Sequence, residues 1–296
     1  MEVLTSTTSA LLRLPRVLHR AYLRAVENDL FNLAQATAYS SMVALFPALI
    51  VIAAIIGQLP DTTPVRFQLA AFFDRILPSD VSPILQTYFV DAPHNTRSVH
   101  VLFFAFIVSF TGAAGIIANL MEGLRRAHGL PLTCWSLGKR TVRAYTLVLV
   151  SLLPFVITTA LVVFGHYLTE WVALRVVPSA RTPVYVIALA LRWIVALAGS
   201  VGLISVLFHF GTPMQQTWKR SLPGATAATA LWFLSTLAFG WYVTRFANYS
   251  QVYGSLGAGI ALLFWLYLIA LSILCGAELN AVLNSPPPTP AQNEPA

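Results

Sequence analysis

The chain has 296 residues, of which 57% are hydrophobic and 10% charged, and its formal net charge is +7. Soluble globular domains carry roughly 25% charged residues, so this composition excludes an ordinary soluble enzyme. A bilayer removes the need for a polar surface wherever acyl tails are the solvent, and the composition therefore predicts an integral membrane protein. The basic residues lie mostly between apolar runs, which argues against nucleic acid as a partner.

The first predicted element is a basic amphipathic helix within residues 1–30. Spacings of three and four residues place its arginines on one stripe of the helix: Arg13, Arg16, Arg20 and Arg24. Two interpretations stay open. The helix lies in the membrane interface with these four arginines as candidate lipid-headgroup contacts, or it is a solvated basic segment that only fixes the topology.

Six apolar stretches are long enough to span a membrane, near residues 34–57, 100–120, 145–166, 185–207, 223–243 and 256–277. The predicted fold class is therefore all-α: a polytopic membrane helix bundle of about six transmembrane helices in one membrane domain, residues 1–283. Residues 60–98, between the first two spans, repeat apolar side chains at helical spacing and predict two short amphipathic helices. The proline-rich tail 284–296 is predicted to be disordered.

The distribution of lysine and arginine predicts the orientation of the spans. Eleven of them lie before the first span, after the second, before the third and before the fifth, whereas six lie in the alternate segments. Retained cytoplasmic segments are enriched in these residues. Both termini are therefore expected in the cytoplasm, and the first loop outside it.

Arg192 is the clearest candidate for a functional residue, because it is a strong charge well inside the fourth span. A charge there costs about 3 kcal/mol or more by insertion scales, so it needs a partner or a wet cavity. Glu170 and the tyrosines of the outer rim are the partners considered. The alternative is that Arg192 extends its guanidinium to the outer interface without a specific role.

Two acidic residues are expected at the inner ends of spans. Glu122 ends the second span beside Asn119, and Glu278 ends the sixth. Because both share a predicted membrane side with several basic residues, a structural ring of ion pairs is favoured over a proton relay. The expected partners are Arg125, Arg126, Lys219 and Arg220.

Prolines and glycines mark places where helices bend or pack closely. Pro47 and Pro154 should kink the first and third spans, which either lines a cavity or has no function. Small residues predict packing faces at Gly112, Gly115, Gly199, Gly202, Gly254, Gly257 and Gly259. The alternative for the stretch from Gly254 to Gly259 is a functional hinge. The candidate residues that would line a path for a substrate are Pro47, Asn119, Glu122, Arg192, Tyr253, Gly254, Gly257 and Glu278.

A search for catalytic motifs finds none: the sequence has no H-E-x-x-H, C-x-x-C or G-x-S-x-G, and its six histidines are scattered. No enzyme activity, cofactor or metal is therefore predicted. A metal-dependent nuclease of the β-lactamase type would need an H-x-H-x-D-H cluster, which is absent from the sequence.

The last 60 residues contain a recognisable series: Pro223-Gly224-Ala225, Trp232, Tyr242, Tyr253-Gly254-Ser255-Leu256-Gly257, Trp265 and Gly276-Ala277-Glu278-Leu279-Asn280. The series resembles the YihY/BrkB family, and residues 38–47 look like that family's first span. The resemblance implies a bacterial inner-membrane protein with six spans. The family is often labelled a virulence factor and was formerly mislabelled as a ribonuclease, and its members are associated with movement of envelope lipids.

Three classes of function follow. The leading hypothesis is a non-enzymatic protein that assists passage of a lipid or other amphiphile, with membrane lipids as partners and Arg192 and the kinked spans lining the path. The second is a structural or scaffolding protein that binds other envelope proteins. The third, a ribonuclease acting at the basic inner loops, is disfavoured by the missing motif. The oligomeric state does not follow from the sequence.

Overall fold

The computed structural model of the protein describes residues 2–57, 99–174, 181–214, 217–246 and 255–284. Three predictions lie outside these residues: the two amphipathic helices of the first loop, the path-lining role of Tyr253 and Gly254, and the disordered tail. The proposed limits of a single domain, residues 1–283, also stay a prediction.

The described residues form seven α-helices and no strand. In chain order they are α1 (Glu2–Glu27), α2 (Leu30–Gly57), α3 (Val99–Ala127), α4 (Leu137–Leu174), α5 (Arg181–Phe210), α6 (Trp218–Phe246) and α7 (Ser255–Asn284). A single 3₁₀ turn, Leu132–Cys134, lies between α3 and α4. The predicted all-α fold is confirmed.

Six helices contain segments long and apolar enough to cross a membrane, as predicted. They are Leu30–Ile52, Leu102–Ala127, Gly138–Thr159, Tyr185–Phe210, Trp218–Arg245 and Gly259–Asn284. Several of these segments run further than the apolar stretches in the sequence and include charged residues such as Glu122, Arg140 and Glu278. The extra turns are compatible with a membrane boundary because their charges are paired, as described below.

The six spans form a closed ring in chain order. Each of α2 to α6 packs against the next helix, and α7 returns to pack against α2. Helix α7 also contacts α3 across the ring and α1 at its side. It is consequently the most buried span, whereas α5 is the least buried.

The packed core lies toward one end of this ring, called here the near end, where α3, α5 and α7 finish and α2, α4 and α6 begin. Its largest buried cluster includes Leu30 of α2, Met121 and Leu124 of α3, Phe208 of α5 and Leu274 of α7. Among the described side chains, the other half, the far end, holds a smaller buried cluster of Phe239, Val243 and Ala261. The bundle is thus tightly packed at one end and looser at the other.

Candidate functional site

Hydrogen bonds between helix ends tie the near end together. The Arg143 Nε of α4 donates to the Phe210 carbonyl that ends α5, at 2.6 Å. The Asn284 amide of α7 donates to the Arg220 carbonyl near the start of α6, at 3.1 Å. The first bond satisfies one of the main-chain carbonyls that helix geometry leaves without a partner at a C-terminus. Together they join the end of α5 to α4 and the end of α7 to the start of α6.

Glu278 is a fully buried carboxylate at this end, with a side-chain exposure of 0%. The Arg24 Nε of α1 lies 2.8 Å from its Oε1, an ion-pair distance, although the N–H does not point at that oxygen as a hydrogen bond would. The Asn28 amide donates to its Oε2 at 3.1 Å. Arg24 also donates through Nη2 to the Ala127 carbonyl of α3, at 2.7 Å. Glu278 therefore fixes α1 to the last span.

Glu122 on α3 is surrounded by three arginines. Arg125 contacts it with two nitrogens, Nη2 at 2.7 Å from Oε1 and Nε at 3.0 Å from Oε2. Arg126 Nε donates to Oε1 at 3.1 Å, and Arg140 Nη1 of α4 lies 3.7 Å from Oε2. The first two partners follow from helix spacing, because residues three and four apart are neighbours on a helix surface. The third joins α4 to α3.

Arg126 connects the two carboxylate sites through the α1–α2 joint. Its Nη1 donates to the Asn28 carbonyl at 3.1 Å and lies 3.7 Å from Asp29 Oδ2. Asp29 has a φ of 58°, a left-handed conformation that aspartate tolerates better than most residues. The ion-pair network is defined here as Arg24, Asn28, Asp29, Glu122, Arg125, Arg126, Arg140 and Glu278.

The expected ion pairs at Glu122 form, but the partner of Glu278 differs from the prediction. Among the described residues, Lys219 and Arg220 form no ion pair, and Glu278 is contacted by Arg24. Arg24 therefore departs from the predicted headgroup stripe: it points into the bundle, while Arg16 and Arg20 are exposed. The side chain of Arg13 lies outside the described part. No local pattern signals a contact between residues 254 positions apart, because helix spacing reports only near neighbours.

His128 lies just beyond α3, half-buried beside the network. Its Nδ1 lies 2.9 Å from the Leu124 carbonyl and donates to it, and its Nε2 is buried without a partner among the described residues. Burial lowers the pKa of the imidazole, the hydrogen bond opposes this, and the nearby Arg24 lowers it further. The folded protein consequently favours neutral His128.

Acidification is expected to destabilise the protein through His128. Because its folded pKa lies below the unfolded value of about 6.5, the stabilisation is complete above that pH and is lost as the pH falls. Thermal unfolding in detergent between about pH 7.5 and about pH 5.5 measures this effect. His128→Leu should show a smaller loss of melting temperature than wild type, and His19→Leu, at an exposed site, the same loss. An unchanged pH dependence in His128→Leu would contradict the assignment.

Arg192 lies on the face of α5 that packs against α4. It is two helical turns from Gly199, where an added methyl would lie 2.5 Å from Thr158 Oγ1 of α4. It is half-buried and forms no hydrogen bond or ion pair with another described side chain. The proposed partner Glu170 has a side chain outside the described part. Arg192 lies seven positions after Tyr185, the first residue of its apolar segment, and is therefore about 10 Å inside the far end of that segment.

The other candidate residues in the described part lie within helices or at contacts between them. The Asn119 amide of α3 donates to Ser40 Oγ of α2 at 3.3 Å. Pro47 is half-buried within α2, which continues past it to Gly57. Gly257 is buried in the first turn of α7.

Glycines mark the close helix contacts, with one correction. A methyl on Gly112 would lie 2.7 Å from the Ala44 Cβ, which agrees with the predicted packing of α3 on α2. A methyl on Gly202 would have no described atom within 4 Å, so its predicted role in close packing is wrong. The prediction missed Gly224 and Gly276, where α6 and α7 cross: a methyl on Gly276 would lie 2.5 Å from Ala228 Cβ and 2.7 Å from the Gly224 carbonyl oxygen. Both glycines stand in the terminal series of motifs, which was the available signal.

A cavity of about 490 Å³ separates α6 and α7 toward the far end. Its apolar walls are Ala238, Phe239, Ile260, Ala261, Phe264 and Leu268, with Ser235 and Tyr242 as the polar lining residues. Arg192, Pro47 and Gly257 are not among its lining residues. The cavity and Arg192 are therefore separate features of the far half.

Comparison with known proteins identifies the family. The family described as Virulence factor BrkB matches residues 21–296. The chain belongs to the BrkB family. The resemblance indicated by the terminal motifs is thus confirmed, and the chain is a multi-pass membrane protein.

Several bacterial relatives of this BrkB-family chain are similar over most of its length. YfkH of Bacillus subtilis (strain 168), whose name calls it ribonuclease-like, is 27% identical over 258 residues, 86% of this chain and 90% of YfkH. A UPF0761 membrane protein of Tolumonas auensis is 26% identical over 249 residues, 83% of this chain and 78% of that protein. A longer one from Ralstonia nicotianae is 24% identical over 274 residues, which are 90% of this chain but 59% of that protein. No solved structure matches the chain.

Proposed function

We propose that this BrkB-family protein assists the passage of a lipid or related amphiphile across or along the bacterial inner membrane. The observation that carries the proposal is Arg192, a guanidinium in a membrane span with no ion-pair partner among the described side chains. An uncompensated charge costs about 3 kcal/mol at the centre of a span and less nearer the boundary. A lipid phosphate can remove this cost, because guanidinium and phosphate match in charge and geometry.

The direction of the Arg192 side chain supports contact with headgroups. In a helix the Cα–Cβ bond tilts toward the N-terminus, and the N-terminus of α5 lies at the far end. The guanidinium therefore extends from its half-buried position toward the far boundary. A phosphate drawn below that boundary would meet Arg192 at the face shared by α4 and α5.

The packing of the bundle supports a path at the far end. The near end is held by the ion-pair network and by the main core cluster, so it should move as a unit. The far half has fewer buried contacts among the described side chains, and α2 and α4 carry Pro47 and Pro154, which remove helix hydrogen bonds. Lipid entry at the far end would then require little unpacking.

The proposed orientation places both termini and the near end in the cytoplasm. Support comes from the excess of lysine and arginine at the near end. In this orientation the exposed Arg16 and Arg20 of α1 lie at the level of anionic headgroups, where each contributes about 1 kcal/mol. Reporter fusions to the two ends measure the orientation, and ends on opposite faces would contradict it.

Arg192→Gln is expected to slow the translocation of labelled phospholipid in proteoliposomes by about tenfold or more, since a charge-assisted hydrogen bond contributes about 1.5–3 kcal/mol. Arg192→Lys keeps the positive charge but lacks the planar guanidinium group and its paired N–H donors, so it should retain part of the translocation rate. Arg220→Gln removes an exposed near-end charge and serves as the matched control.

Two outcomes would count against this function. Equal rates in wild type and Arg192→Gln would remove Arg192 from the mechanism. A wild-type protein that moves no lipid, and instead co-purifies with a stoichiometric envelope protein, would support the scaffold function.

A ribonuclease function is the second candidate, favoured by the name of the relative YfkH. Against it, the described residues hold no group of three or more His, Cys, Asp and Glu side chains that could bind a metal ion. Purified protein incubated with RNA and divalent metal tests this candidate. Cleavage that copurifies with the protein and disappears with chelation would support it over lipid passage.

A further inference from the structure

We infer that the cavity between α6 and α7 is a binding site for one acyl chain of a phospholipid from the leaflet at the far end. This inference concerns a resident lipid and does not depend on transport or on Arg192. It begins with the way the two helices are joined. Gly224 and Gly276 allow their backbones to approach closely at the near end, and the cavity lies further along the same two helices, toward the far end.

The chemistry of the cavity fits a hydrocarbon. Phe239, Phe264 and Leu268 form its walls. The Ser235 hydroxyl is already used, because it donates to the Trp232 carbonyl at 3.0 Å and lies 3.4 Å from Ser272 Oγ. A water molecule needs two to four polar partners to occupy a buried site. The cavity walls provide few polar partners, so an apolar occupant is favoured over water.

The position of the cavity opening, called here the mouth, identifies the source of that occupant. Ala238, Ile260 and Phe264 line the cavity and are also exposed on the outer surface of α6 and α7. These residues belong to membrane-spanning segments, so the mouth opens sideways into the bilayer core rather than into water. The molecules present there are the acyl chains of lipids, and a volume of about 490 Å³ is within the range of small-ligand sites.

A cationic residue at the rim specifies a phospholipid. Arg245 lies three residues after the lining residue Tyr242, on the same side of α6, and it is exposed at the far end of that span. An arginine at this level can contact a phosphate while the attached chain enters the cavity. Trp241 beside it is an exposed aromatic residue of the kind enriched at membrane interfaces.

Photocrosslinking of the full chain tests the site. The protein is reconstituted in phosphatidylethanolamine and phosphatidylglycerol vesicles that contain a phospholipid with a diazirine in its acyl chain. Crosslinks should concentrate on α6 residues 235–242 and α7 residues 260–268. Ala238→Trp fills the mouth and should abolish this labelling, whereas Leu237→Trp adds the same side chain at the adjacent exposed position, outside the lining, and should leave it unchanged.

Three results would overturn the inference: labelling spread evenly over all spans, equal labelling of the two tryptophan variants, or labelling that is unaffected by Arg245→Gln. Arg192→Gln separates this site from the proposed function. Intact cavity labelling in a variant that no longer moves lipid supports both proposals. Loss of cavity labelling in Ala238→Trp with normal lipid movement shows a lipid site that the transport path does not use.

Discussion

Glu278→Ala is expected to lower the free energy of unfolding of the detergent-solubilised protein by about 2–3 kcal/mol. The carboxylate is fully buried, and its removal leaves the Asn28 amide without its acceptor and Arg24 without its counterion. Arg24 is one-third exposed and recovers some hydration, which keeps the loss at the lower end for a broken buried pair. Protease cleavage between α1 and α2 should increase in parallel, because Glu278 fixes α1 to α7.

A double-mutant cycle isolates the Arg24–Glu278 interaction from the cost of leaving one charge alone. Replacing both partners of a buried pair by apolar residues of similar size is often nearly neutral, so Arg24→Met with Glu278→Met should be more stable than Glu278→Met alone. Asp29→Asn is the control, since its 3.7 Å contact with Arg126 is exposed and should contribute less than about 1 kcal/mol. Additive losses in the double variant would show that Arg24 and Glu278 are not coupled.

Gly276→Val is expected to cost about 3 kcal/mol or to prevent recovery of monodisperse protein. Even the first added carbon would lie 2.5 Å from Ala228 Cβ and 2.7 Å from the Gly224 carbonyl oxygen, and both belong to the packed backbone region of α6. The helices must separate to admit a branched side chain. Size-exclusion chromatography and thermal unfolding in detergent report the loss.

Gly240→Val is the matched control, because it places the same side chain on α6 where no atom of the described residues lies within 4 Å of an added methyl. Valine has a better helix propensity than glycine, so this variant should be as stable as wild type or slightly more stable. If the two valine variants are equally stable, the close crossing of α6 and α7 does not hold the near end together.

The fold was predictable from the sequence because its main signal is local. A run of about 20 apolar residues satisfies its own backbone hydrogen bonds only as a helix, and six such runs yield six spans whatever their arrangement. The closed ring depends on contacts between distant helices, such as α7 with α2. Apolar spans are interchangeable as far as hydropathy is concerned, so the neighbours were not predictable from it.

The candidate site was predictable where partners lie within one helical turn or two. Arg125 and Arg126 were expected beside Glu122 because three- and four-residue spacing brings them together. Arg24 was assigned to lipid headgroups, since its spacing matches the exposed Arg16 and Arg20, and the sequence gives no sign of the carboxylate it meets. Gly202 and Gly276 are alike as residues in apolar helices, and only the neighbouring backbone distinguishes them.

The contact between α1 and α7 has a consequence for biosynthesis. Asn28 leaves the ribosome 250 residues before its acceptor Glu278, so the amphipathic segment has no docking site until the last span has been inserted. A polypeptide that stops before α7 would leave Arg24 and Asn28 without this partner. The attachment of α1 to α7 is therefore completed only after α7 has been synthesised.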